Sequence, residues 1–198
     1  MWRMLAGTAL ACVLFLGGAV MAAEAESNDV PPPFVLKTEA GRVDVYRPNG
    51  SLLQSLPYEG DEPDDDNRDH FTMVRDMNFD GFPDVGVLFW EGARIQYDAW
   101  LWRPESGAFV QYEAMRDIPN PGFDAEARQV TSFELCCGTG SAETVFAWEN
   151  GALVALRRVE RVPDEASGSI TVSRYARGAD GELQLVEEEI TGPEKTEN

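Results

Sequence analysis

The stretch from Arg75 to Asp84 carries the residue types and spacing needed to hold a hard cation. Asp76, Asn78 and Asp80 stand at alternate positions and Asp84 follows four later, so a loop curling around an ion would direct several side-chain oxygens to its centre. Gly81 falls where such a loop needs a sharp turn, and Phe82 occupies the position that ligates through its backbone carbonyl. Oxygen donors in this order suit calcium, the cofactor expected here. Its role would be that of a structural clamp, because the loop offers neither a nucleophile nor a base. Against the EF-hand pattern, the first, third, fifth, sixth and ninth positions match. Val87 fills the twelfth, where a bidentate Glu is usual, and an acidic loop between Tyr58 and His70 could supply the missing carboxylate. The plain alternative in so acidic a chain is an Asp/Asn-rich turn that binds nothing.

No other constellation points to catalysis, and no catalytic residue is assigned. The one histidine, His70, ends an acidic run and has no supporting nucleophile signal, while with 35 acidic residues any chosen carboxylate pair is uninformative. No phosphate-binding or dinucleotide fingerprint is present. Cys136 and Cys137 are adjacent, which leaves a strained vicinal disulfide and a pair of buried thiols both open; with one His they do not complete a zinc site. Trp90, Trp100, Trp102 and Trp148 could line a sugar-binding groove, but aromatics at strand spacing beside turns suit core packing better.

Around this loop the flanks read as strands. Phe71 to Val74 and Val85 to Trp90 are β-branched and aromatic, without a helical period. Short alternating runs recur at Val43–Tyr46, Ser51–Leu56, Tyr97–Trp102, Ala108–Tyr112, Val130–Leu135, Thr144–Trp148, Ala152–Leu156, Ile170–Tyr175 and Leu183–Glu187. Four turns pass from an aromatic through a glycine into an apolar residue: Tyr46 to Gly50, Trp102 to Gly107, Trp148 to Gly151 and Tyr175 to Gly181. They predict four β-hairpins. The only helical period, Glu113 to Ile118, is one turn long. The fold class expected is therefore all-β, an antiparallel hairpin meander closed or stacked as blades, with the calcium loop between two strands.

The chain opens with one Arg, an apolar run and small residues before acidic sequence, the plan of a secretory signal peptide over residues 1–23. Residues 24–33 read as a flexible leader, 34–192 as a single β domain and 193–198 as a flexible tail. The expected location is periplasmic or secreted, without stable membrane association. Sixteen basic residues against 35 acidic ones give a formal charge of −19, and loss of Arg3 with the signal peptide takes it to −20. That balance argues against nucleic acid, which is held by clustered Lys and Arg, and favours a basic protein as partner.

The motifs occur in a recognisable order. Arg75 to Asp84 is followed by Tyr97 to Val110, Ile118 to Asp124, Val130 to Ser132 and Thr144 to Val154. In this order they resemble a family of secreted bacterial β proteins with a calcium loop and repeated Trp hairpins. That family includes an immunity protein that inhibits a lysozyme-like effector of a type IV secretion system. The loop alone is also similar to the FG-GAP loops of integrin-type propellers. The resemblance covers residues 70 to 157. It implies an irregular β-propeller-like fold, one calcium held by Asp76, Asn78, Asp80, Phe82 and Asp84, and no enzymatic activity. It further implies inhibition of a basic, lysozyme-like peptidoglycan hydrolase by surface loops, the alternative being a non-catalytic carbohydrate- or protein-binding module of the cell envelope. The loop Gly138 to Glu143, with Ser141 and Glu143 as partner-binding residues, is the expected inserting element, the alternative being an ordinary hairpin connection that happens to contain them.

Overall fold

The computed structural model describes residues 34–59, 62–64, 68–136 and 139–192, with the side chain of Cys136 excepted. The expected signal peptide, leader and tail, and the pairing of Cys136 with Cys137, lie outside the described residues.

Among the described residues, thirteen strands form three antiparallel sheets, none closed into a barrel. The first sheet is β1 (Val35–Glu39), β2 (Arg42–Tyr46) and β3 (Leu52–Pro57). The second is β4 (Thr72–Arg75), β5 (Asp84–Trp90), β6 (Gln96–Arg103) and β7 (Ala108–Tyr112), followed by a 3-10 turn at Glu113–Asp117. The third runs in order β8 (Gly122–Asp124), β9 (Gln129–Cys136), β10 (Gly140–Glu149), β11 (Ala152–Asp164), β12 (Ser169–Arg177) and β13 (Leu183–Thr191). Within each sheet, sequence neighbours pair, as a meander requires.

Each of the four predicted turns joins a hairpin. Gly50, Gly107, Gly151 and Gly181 all have positive φ, the conformation that costs glycine least. Between β10 and β11, Asn150 (φ 51°) and Gly151 (φ 81°) make the two-residue connection whose twist matches its flanking strands.

The second sheet is central and is buried on both faces. Towards the first sheet, Val85, Trp100, Trp102 and Phe109 pack with Val43, Val45 and Leu56. On the opposite side, Ala99, Leu101, Met77, Phe79 and Met115 pack with Val130, Phe146, Trp148 and Leu153 of the third sheet. That double burial explains why β5 reads as a nearly unbroken apolar run rather than an alternation. Gln54 on β3 ties the outer layer to the centre: its amide donates to Phe109 O and accepts from Phe109 N, each at 2.8 Å, and so imitates a strand at the edge of β7.

Candidate functional site

The acidic loop joins β4 to β5, as its flanks predict, and its backbone is shaped by its own side chains. The amide of Asp80 donates to Asp76 Oδ1 and to Asn78 Oδ1, both at 3.1 Å. Gly81 N donates to Asp76 Oδ2 at 2.9 Å, and Phe82 N to Asp80 Oδ1 at 2.9 Å. Asn78 Nδ2 donates to Asp80 Oδ2 at 2.8 Å. Short Asp and Asn side chains bond readily to backbone two residues on, which is why they favour such turns. Two residues take positive φ, Gly81 (96°) and Phe79 (59°). At Phe79 the strain is offset by burying the ring among Met77, Leu101 and Met115.

Asp84 differs from the other three. Its side chain is fully buried at the start of β5, where Oδ2 accepts from Met77 N at 2.8 Å and Oδ1 from Trp102 N at 2.9 Å. One carboxylate thereby fixes the loop to two strands of the central sheet. Burial pushes its carboxyl up from 3.8 to about 7; the hydrogen bonds from Met77 and Trp102 oppose this, and the charges of Asp80 and Asp76 add to it.

The third sheet grips the same loop. Trp148 Nε1 donates to Met77 O at 2.7 Å. The Trp148 ring lies 4.7 Å from that of Tyr112, whose hydroxyl accepts from Leu153 N at 2.8 Å. Sequence reasoning assigns Trp148 to a hairpin and does not foresee this link, because nothing local to it signals a partner 71 residues away. Gly86 is also part of the seat. A Cβ there would stand 3.0 Å from Met77 Cε and 3.2 Å from Met73 Cε, so the loop packs against bare backbone.

Whether these residues suit calcium turns on their chemistry. Asp76, Asn78, Asp80 and Asp84 offer side-chain oxygens, the hard donors calcium takes, and those oxygens accept from backbone amides of the loop and of β6. An accepting carboxylate oxygen keeps further lone-pair capacity, so the hydrogen bonds to backbone do not exhaust the set. In type the residues suit the ion. They are turned towards backbone N–H groups, and among the described residues no three Asp, Glu, His or Cys side chains gather into a ready cluster. Glu59, from the acidic segment proposed as a source of one more ligand, instead stands 3.3 Å from Arg116.

The other expected site residues sit elsewhere. Ser141 and Glu143 belong to β10, and only Thr139 among the described residues of that segment is a turn. Of the expected inserting loop, Gly140 to Glu143 is strand instead, and Gly138 lies outside the described residues: β9 and β11 flank this part of β10, Ser141 pairing with Leu135 and Arg161, and Glu143 with Phe133 and Val159. Ladder pairing on both sides outweighs the flexibility that its glycines suggest. Glu143 is exposed, with exposed Phe133 directly opposite and exposed Leu135 opposite Ser141.

His70 meets Glu91 at 2.9 Å on the surface. Of the four tryptophans considered for a sugar groove, Trp100 and Trp102 are buried in the core and Trp148 holds the loop, leaving Trp90 as the exposed one. Two charged groupings have no sequence signal. Asp98, fully buried, takes two guanidinium bonds from Arg116, which also stacks 4.4 Å from the Phe89 ring. Arg158 donates to Glu160 and Glu134, each at 2.7 Å, and to Thr144 at 3.0 Å, lacing β9, β10 and β11 together.

No protein family and no curated protein matches the chain. Among solved structures, a Xanthomonas protein described as type IV secretion system related aligns with a TM-score of 0.57 at 20% identity, covering 79% of this chain and 82% of its own. A Bacteroides fragilis protein of unknown function aligns at a TM-score of 0.31 and 10% identity, over 81% of this chain and 93% of its own. The chain therefore shares its fold of stacked antiparallel sheets with the Xanthomonas protein.

Proposed function

We propose that this chain is a calcium-clamped, non-enzymatic inhibitor of a basic, lysozyme-like peptidoglycan hydrolase, acting by protein–protein binding in the periplasm or after secretion, in the manner of an immunity protein. The observation that carries the reading is the fold shared with a type IV secretion system related protein over four-fifths of the chain. Charge supplies the partner's sign: a surface carrying −19 speeds the encounter with a basic protein and does so less at higher salt. The β-propeller-like arrangement is part of the same reading, with the three sheets as consecutive blades. Calcium in the loop of Asp76, Asn78, Asp80, Phe82 and Asp84 holds the central sheet to the third, so that partner-facing residues are presented on rigid strands. Ser141 and Glu143, flanked by Phe133 and Leu135, form the candidate contact patch: apolar residues give buried area and Glu143 meets a basic group.

The test is lysis of peptidoglycan by candidate basic hydrolases at low and moderate salt, with the wild type and with Glu143→Lys. Slowed lysis, weakened by salt and by the substitution, is expected. If no cognate hydrolase slows in excess protein, the inhibitor reading fails. Inhibition indifferent to Glu143→Lys keeps the function and discards the patch. Retention on peptidoglycan without any protein partner would instead favour an envelope carbohydrate-binding module, for which the exposed Trp90 is the specific observation.

A further inference from the structure

The last strand of the third sheet is exposed in a way its neighbours are not. Among the described residues β13 pairs only with β12, which leaves one edge of its backbone free of them, and all residues from Gln184 to Ile190 are solvent-exposed on both faces. Leu185, Val186 and Ile190 are 53%, 63% and 70% exposed. A register shift sets Arg174 opposite Glu187 but Tyr175 opposite Leu185, which leaves Val186 as an extra residue and makes Glu187 to Thr191 the regular stretch of the edge.

A sheet edge with a seven-residue exposed run that includes apolar side chains is a template for an added strand. A second copy of this chain is a poor occupant. Antiparallel self-pairing centred on Glu188 sets Glu187 of each copy against Glu189 of the other and the two Glu188 side chains together, and like charges directly opposite are destabilising. The three glutamates also keep capacity for an outside cation. Arg174 Nη1 stands 3.3 Å from Glu187 and 3.6 Å from Glu189, near enough for attraction but not aligned as a hydrogen bond, and Ser173 reaches Glu188 only at 3.4 Å.

We propose that the free edge of β13 binds an extended segment of a basic protein as a seventh strand. Along one face of the regular stretch lie Glu188 and Ile190, and along the other Glu187, Glu189 and Thr191. The complementary strand therefore carries basic side chains opposite the three glutamates and an apolar one opposite Ile190. Backbone hydrogen bonds supply affinity and these side chains supply selectivity. Such a strand docks whether or not its owner is a hydrolase, so failure of the lysis assay leaves this interaction standing, and its loss leaves the lysis result standing.

The probe is a fluorescein-labelled peptide, Thr-Val-Lys-Arg-Lys-Val-Thr, capped at both ends. Its binding to the full chain is followed by anisotropy at low and moderate salt. A second peptide of identical sequence is N-methylated at alternate residues, in both possible frames, to keep the charge while removing edge hydrogen bonds. The expected result is saturable binding, at least tenfold weaker for the frame that blocks the docking edge and at least tenfold weaker for Glu188→Lys. New hydrogen-exchange protection should be confined to residues 183–191. Equal binding of both methylated frames and the parent peptide reduces the effect to charge attraction and overturns the proposal. So does an absence of protection in β13, and so does a concentration-dependent dimer in sedimentation that buries the same edge.

Discussion

Replacing Asp84 by Asn keeps the size and removes the charge at the one carboxylate that joins the acidic loop to two strands. In the ion-free protein the wild-type carboxyl is raised to about 7, while unfolding returns it to 3.8. The folded state therefore binds more protons between these values. Stability contributed by the group is complete below about 3.8 and is lost as pH rises through about 7. At 1.36 kcal/mol per unit, the gap corresponds to about 4 kcal/mol as an upper limit. A carboxamide does not titrate, so Asp84→Asn should lack this slope. The amide can accept from Met77 N or Trp102 N but not from both, and the orphaned donor costs about 1–3 kcal/mol at any pH. Urea unfolding in chelator at pH 5 and pH 8 then separates the terms. Because about 1.6 kcal/mol of the group's contribution is already lost at pH 5, the variant should lie within about 1.5 kcal/mol of wild type there, and be equal to it or more stable at pH 8. Calcium reverses the comparison, because the ion favours the ionised carboxylate: stabilisation by calcium should grow as pH rises and be absent in the variant. Parallel pH profiles for the two proteins in chelator would refute the reasoning.

Other expectations follow from the same geometry. Trp148→Phe keeps an aromatic ring, though a smaller one, and deletes the bond to Met77 O; it should cost about 1–3 kcal/mol in urea unfolding, and an unchanged midpoint would show that the third sheet does not depend on the loop. Gly81→Ala meets open space but places a Cβ at φ 96°, so thermal unfolding should reveal a loss of about 1–3 kcal/mol, and a neutral result would contradict that conformation. Arg116→Met strands the buried Asp98 carboxylate and should cost about 3–5 kcal/mol, much of it recovered when Asp98→Asn is added; simple additivity of the two would deny their pairing.

What the sequence reveals and what it hides follow from the range of the forces involved. Turns are local: Gly50, Gly107 and Asn150-Gly151 declare their hairpins because positive φ selects those residues. The loop from Asp76 to Asp84 is legible for the same reason, its side chains bonding to backbone within five residues except at Asp84, whose Oδ1 reaches Trp102. β11 is read only as far as Leu156, since Arg157 to Asp164 is charged and carries none of the one-sided alternation that marks a half-buried strand; its far end is only partly buried or exposed on either face. β1 escapes notice on similar grounds, being mostly exposed. Trp148 to Met77, Gln54 to Phe109 and Arg116 to Asp98 join residues 71, 55 and 18 apart, and no short-range pattern encodes them. Glycine near Ser141 suggests a loop, but pairing with strands on both sides decides otherwise.

The claim on which the rest depends is that the loop holds calcium and thereby fastens the third sheet to the second. Isothermal titration of calcium into the chelator-treated chain, with native mass spectrometry of the product, tests it most directly. The account predicts one ion per chain, none in Asp80→Ala, and a rise in the unfolding midpoint of wild type that Trp148→Phe diminishes. No heat on titration and no ion retained after dialysis would contradict it.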